Sequence, residues 1–180
     1  MSLATGTWPP QLSVLVLHRV PQLGDAGTQV LAANLPPTLT TLKLSTAGIG
    51  DTGASALATR LPLLPLLTEL HLSRNDIGDV GIRVLAPHLP RSLAVLDLSY
   101  NPIGNDSARV LVEHMPVTLV QLHLECTEIG DDGAMCVAVW MPPTLKRLQL
   151  FNCRLSKDCG QAAIRHAWAS SPHVGGSLYM

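Results

Sequence analysis

Aromatic side chains are scarce in this chain: three Trp, two Tyr and one Phe make up 3% of its 180 residues. Proteins that grip single-stranded nucleic acid stack bases on such rings, and 12 Lys+Arg against 13 Asp+Glu leave a formal net charge of -1. That balance draws neither a phosphate backbone nor an anionic lipid surface, so neither nucleic acid nor membrane is expected as a partner. Long apolar runs are missing too, since no segment approaches the ~18 uninterrupted apolar residues of a spanning helix. The opening MSLATGTWPPQLSVLVL has no basic stretch before its apolar run, which Pro9 and Pro10 interrupt, so a cytoplasmic location is expected rather than export. Cys126, Cys136, Cys153 and Cys159 form no C-x-x-C pair, which argues against a zinc ribbon or a dense disulfide framework and for reduced thiols. No cofactor is expected.

What the chain has in quantity is leucine in register. LLTELHLSRNDIGDVG at residues 66–81 returns as SLAVLDLSYNPIGNDS at 92–107 and as TLVQLHLECTEIGDDG at 118–133. The pattern L-x-x-L-x-L begins at Leu12, Leu39, Leu67, Leu93, Leu119 and Leu145, at intervals of 27, 28, 26, 26 and 26. Six copies fill residues 12–168, with 1–11 as a leader or partial cap and 169–180 as a flexible tail.

Within each copy the apolar period changes from two to between three and four. VLVL, TLKL, ELHL, VLDL, QLHL and RLQL alternate as a strand with one buried face does. In the following IGDTGASALATRL, Ile49, Ala54, Leu57, Ala58 and Leu61 have helical spacing, and Asp51 sits where a side-chain oxygen caps free N–H groups. Asp25, Asp79, Asn105 and Asp131 hold the same place in their copies, and Pro36, Pro62, Pro90, Pro116 and Pro142 stop the helices. A unit this small cannot bury its apolar face alone, but stacked copies cover one another. The expected fold is an α/β solenoid: a horseshoe arc with a parallel sheet on the concave face and helices on the convex face.

The strand motif followed by x-x-N-x-I-G-D-x-G-A-x-x-L-A-x-x-L-P, carried best by residues 39–62 and 67–90, resembles the ribonuclease-inhibitor-like subfamily of leucine-rich repeats. That resemblance implies a protein partner. The subfamily places Asn or Cys at the turn after the strand; Asn75, Asn101 and Cys153 comply, whereas Val20, Ala47 and Thr127 depart, which leaves the ladder incomplete and the first two copies looser.

Leucines account for the fold, so function is sought where the copies differ. The strand residues alternating with leucine should line the concave face, and those expected to touch a partner are Lys43, Glu69, His71, Asp97, Gln121, His123, Glu125, Arg147, Gln149 and Phe151. Ser45, Ser73 and Ser99 are expected to point the same way. His71, Asp97 and His123 fall about one strand spacing apart, ~4.8 Å, a separation at which imidazole and carboxylate also serve metal binding or proton transfer. A polar recognition surface explains them more simply, and no Ser or Cys nucleophile accompanies them; neither a metal nor an enzyme is expected. A second column near the helix ends holds Arg60, His88, His114, Trp140 and His166. Its cationic members suit a helix C-terminus, while Trp140 suits a secondary contact edge.

The sequence therefore predicts a non-catalytic protein-binding module, a monomer or weak edge-to-edge dimer. Two alternatives remain open: a regulator of a small GTPase acting in trans, for which Arg19, Arg74 or Asn75 are the candidates, and a fragment of a larger repeat receptor or self-assembling array.

Overall fold

A computed structural model describes residues 8–156, 159–170 and 176–180. Seven three-residue strands, β1 (Val14–Val16), β2 (Thr41–Lys43), β3 (Glu69–His71), β4 (Val95–Asp97), β5 (Gln121–His123), β6 (Arg147–Gln149) and β7 (Ser177–Tyr179), form one parallel sheet in chain order. Between them run helices α1 (Gly24–Asn34), α2 (Asp51–Arg60), α3 (Asp79–Leu85), α4 (Asn105–His114), α5 (Asp131–Trp140) and α6 (Cys159–Ser170). Neighbouring strands stand ~4.8 Å apart while packed helices need 8–10 Å, so the stack bends with its sheet inside.

Register follows the leucines. Leu15, Leu42, Leu70, Leu96, Leu122 and Leu148 pair in succession across the sheet, and the last five are fully buried. The residues on either side of each alternate toward the concave surface, as period-two geometry requires. The prolines act as stops, with two refinements: Pro62 and Pro87 sit inside single 3-10 turns, Leu61–Leu63 and Ala86–His88, that tighten the ends of α2 and α3.

The C-terminal segment departs from expectation. Residues 169–180 read as a flexible tail, yet α6 runs to Ser170 and Ser177–Tyr179 joins the sheet, with Leu178 paired to Leu148. Only one of the three leucines of the strand motif survives there, with Met180 in the place of the third, but one inward leucine and six backbone groups suffice to extend an existing edge. At the other end, Trp8 packs on the core of the first repeat, and among the described residues no element covers the free edge of β1.

The conserved-looking aspartates cap a different helix from the one expected. None of the helices α1 to α5 is capped by the side chain of its own N-cap residue. Each carboxylate, and the Asn105 amide in the same place, reaches the next repeat instead. Asp25 Oδ1 accepts from the Gly50 and Gly53 N–H groups at 2.7 and 2.9 Å, Asp51 Oδ1 from Gly78 and Gly81 at 2.8 and 2.9 Å, and Asn105 Oδ1 from Gly130 and Gly133 at 2.8 and 3.1 Å. Unpaired N–H groups and the positive end of the helix dipole favour an anion there, so the row riveting each repeat to its successor is electrostatic as well as apolar.

This explains the second glycine of G-D-x-G in the second, third and fifth copies. A Cβ on Gly81 would lie 2.6 Å from Asp51 Oδ1, and one on Gly133 would lie 2.5 Å from Asn105 Oδ1. Ser107 takes that place once, and its hydroxyl joins its N–H in donating to Asp79 Oδ1. Gly81→Ala is therefore expected to destabilise by about 1–3 kcal/mol, although alanine is ordinarily the better helix former. In an Asp51→Ala background the cost should shrink by about 1 kcal/mol, read from urea unfolding of the four proteins of the cycle.

Candidate functional site

The middle row of the concave face is in register as the sequence predicts: Lys43 opposite His71, His71 opposite Asp97, Asp97 opposite His123, His123 opposite Gln149. The side chains are already engaged with one another. Lys43 Nζ lies 3.6 Å from Glu69 Oε2, His71 Nε2 lies 3.4 Å from the same oxygen, and His71 Nδ1 lies 3.7 Å from Asp97 Oδ2. Both nitrogens of His71 thus face carboxylates, which fixes its ring across the sheet. Further along, Gln121 Oε1 lies 3.4 Å from both His123 Nε2 and Arg147 Nη1. Glu125 remains half-exposed, and Phe151, 53% exposed, closes the row at the C-terminal end.

Burial differs along this row, and it tunes the charges. Burial pushes the Asp97 carboxyl up, but hydrogen bonds from His71, from the N–H and hydroxyl of Ser99 and from Ser73 outweigh it and hold Asp97 below the usual carboxylate range. Burial also pushes the His123 imidazole down; Asp97 and Glu125 pull it up, His71 and Arg147 push it down, and it ends below the usual histidine range. Asp79, in the interhelical row, is raised by burial but lowered more by Ser107, Gly104 and Arg83.

In all three groups the unfolded chain holds protons that the folded chain has released, so stability rises with pH across their titration. Acidification should weaken the fold in two steps: the first below about pH 6.5 as His123 is charged on unfolding, the second below about pH 4 as Asp79 and Asp97 take up protons. Urea midpoints measured at pH 7.5, 5.5 and 3.5 should fall in that order, and the His123→Gln variant should lose the first step.

The serines of this face are not free. Ser45 and Ser99 are buried, Ser73 Oγ donates to Ser45 Oγ at 3.0 Å, and Ser99 Oγ accepts from the Glu125 N–H at 3.2 Å. Ser45 and Ser99 floor the sheet rather than face a partner, while Ser73 stays half-buried. Among the described residues no group of three or more His, Cys, Asp or Glu has the arrangement of a metal site.

The turn above the strands binds the repeats from within. Asn75 Oδ1 accepts from Ala47 and Ile49 N–H at 3.0 and 3.1 Å, and its Nδ2 donates to the Leu44 and Leu72 carbonyls, each at 2.9 Å. The second copy, which lacks an Asn at Ala47, is thereby served by its neighbour. Thr127 and Cys153 substitute for the amide, each donating to the Leu124 carbonyl at 2.9 and 3.1 Å. Burial raises the Cys153 thiol, which suits packing rather than reactivity. The side chain of Cys159 lies outside the described residues.

Of the residues a GTPase regulator would present, Asn75 is removed by its burial. Arg74 is exposed but lies 3.8 Å over the Tyr100 ring. Both belong to a feature the sequence conceals: Arg19, Thr46, Arg74, Tyr100, Cys126 and Asn152, one per copy, all have φ between 51° and 59°. The left-handed kink that ends each strand is set by the stack and not by glycine.

The second column resolves into separate roles. Arg60 donates to the Leu35 carbonyl and so closes the preceding helix. His88 and His114 each donate Nδ1–H to the carbonyl four residues earlier, Val84 and Val110, both at 2.9 Å; a carbonyl only accepts, so the proton sits on Nδ1 and Nε2 faces solvent. These are helix-end contacts. Trp140, 71% exposed, lines a hollow of about 400 Å3 with Arg109, Val112, Glu113 and Cys136. His166 is exposed near the end of α6.

The Leucine Rich repeat family profile matches residues 36–58, 64–86, 90–112 and 117–138. The chain belongs to the leucine-rich repeat family. No curated protein matches it by sequence. Among solved structures this leucine-rich repeat chain is similar to internalin InlF of Listeria monocytogenes, at TM-score 0.55 and 20% identity over 84% of this chain and 36% of the internalin. It is also similar to actin-binding site 2 of leiomodin-1, at TM-score 0.54 and 11% identity over 92% and 82%, and to internalin C2 of the same bacterium, at 0.52 and 20% over 84% and 54%. The chain spans only about a third to a half of the internalins. Likeness at these identities speaks for the shared solenoid. No helix of the described residues is long and apolar enough to cross a membrane.

Proposed function

We propose that this leucine-rich repeat chain is a non-catalytic cytoplasmic module, of the ribonuclease-inhibitor-like type, that captures a protein partner on the concave face of its sheet. The binding unit is residues 12–168. The observation that carries this reading is the row Lys43, Glu69, His71 and Asp97, in which an ammonium and an imidazole alternate with carboxylates and the side chains engage one another before any partner arrives. Side chains already fixed lose little freedom on binding, and a fixed pattern of polar and charged groups selects register more than it adds raw affinity. Gln121, His123, Glu125, Arg147 and Gln149 continue the row, and Phe151 supplies the kind of rigid aromatic anchor that interfaces favour. Helices of 10 and 11 residues on the convex side and repeat intervals of 26–28 residues are what favour the ribonuclease-inhibitor-like type.

The test is affinity capture from cells, comparing the native chain with His71→Ala/His123→Ala/Glu125→Arg. Among the described residues none of these three side chains bonds the backbone, so the fold should be retained, with a melting temperature within a few degrees. Mass spectrometry should find the native chain's main partner depleted at least tenfold from the variant. An unchanged set of captured proteins would place binding elsewhere.

A further inference from the structure

The edge of the solenoid where helices end and strands begin carries a groove distinct from the concave face. Two hollows of about 350 and 380 Å3 meet at Pro87, Leu89 and Arg91. The first is otherwise walled by Pro62, Leu64, Pro65, His88, Pro90 and Ser92, the second by His114, Met115, Pro116 and Val117. The second hollow has an open apolar wall: Val117 is 74% exposed, the highest among the large apolar side chains of the described residues. No Asp or Glu lines either hollow.

Arg91 stands where the hollows join. It is exposed, and among the described residues its guanidinium has no ion pair, hydrogen bond or ring partner, unlike those of Arg109, Arg154, Arg60 and Arg74. His88 and His114 flank it, each with Nε2 turned outward because Nδ1 is spent on a helix carbonyl. The groove is thus apolar, then cationic, then apolar, with no negative group of its own to satisfy the cation.

We propose that this groove receives a short acidic and apolar segment of a protein partner: an apolar side chain in each hollow and a carboxylate between them on Arg91. Arginine favours carboxylate because its fork offers two parallel N–H donors. In a polyproline-type strand, side chains three apart lie on one side about 9 Å apart, which agrees with the 8–10 Å between neighbouring helices, from whose ends the hollows open. The site is independent of the concave row, so two contacts on one partner would reinforce each other.

The probe is a fluorescein-labelled peptide with Leu-Glu-Glu-Leu at its centre, compared with the same peptide bearing Leu-Gln-Gln-Leu, by anisotropy with the intact chain. The acidic peptide should bind about tenfold more tightly than the amide peptide. Arg91→Glu should erase that preference and gain one for a Leu-Lys-Lys-Leu peptide, a reversal that a misfolded variant cannot produce. The concave variant His71→Ala/His123→Ala/Glu125→Arg should keep the acidic preference, so this proposal and the concave reading fail separately. No binding, equal binding of the acidic and amide peptides, or a preference that survives Arg91→Glu would overturn the proposal. So would sedimentation showing that the edge is covered by a second copy, as a dimer that Arg91→Glu dissolves.

Discussion

Asn75→Ala should lower the unfolding free energy by about 3–5 kcal/mol, seen as a drop of roughly 1–2 M in the urea midpoint. The amide is buried and joins five backbone groups: it accepts from Ala47 and Ile49 and donates to Leu44 and Leu72, with a longer contact to the Ser73 carbonyl at 3.4 Å. Alanine removes every partner at once, and a buried donor or acceptor left unmet costs about 1–3 kcal/mol. Asn75→Asp separates the two halves of the contact: it keeps an acceptor for Ala47 and Ile49 but has no donor for the carbonyls, and it buries a charge. It should be no better than alanine. If Asn75→Ala costs less than about 1 kcal/mol, the turns are not held from one repeat to the next by this side chain.

Leu96→Ala should cost about 2–5 kcal/mol, the range for emptying a well-packed leucine site. Leu96 is fully buried, between Leu70 and Leu122, in the fourth of seven strands. Because each repeat of a solenoid contacts only its neighbours, the loss at the centre should also uncouple the halves. The signature is a broader transition with a smaller m-value, in addition to a lower midpoint. Val117→Ala, at a site 74% exposed, should stay within about 0.5 kcal/mol of the native chain.

The leucine period reveals the sheet because strand geometry leaves no choice: a shift by one residue would turn Leu42, Leu70 and Leu96 outward, so the sequence spacing and the observed register agree. The aspartate row is less legible. Asp51 recurs at a helix start, but periodicity tells which residue type returns and not which copy it serves; its carboxylate lies within reach of Gly78 and Gly81 only once the copies are stacked. The seventh strand is hidden because Leu178 stands alone, without the flanking leucines that mark the other six. Ser45 and Ser99 share the alternation of the exposed residues, but the chain turns away at the strand end and buries them. The groove beside Arg91 has no motif at all; it arises from prolines and an unpaired cation that belong to different copies.

Hydrogen exchange of the chain with and without its captured partner tests the central claim most directly. If the concave row is the binding face, partner binding should slow exchange in peptides spanning 69–73, 95–99 and 121–125 and leave those of α2, α4 and α5 unchanged. Protection confined to the helices, with the strand peptides exchanging as in the free chain, would contradict it.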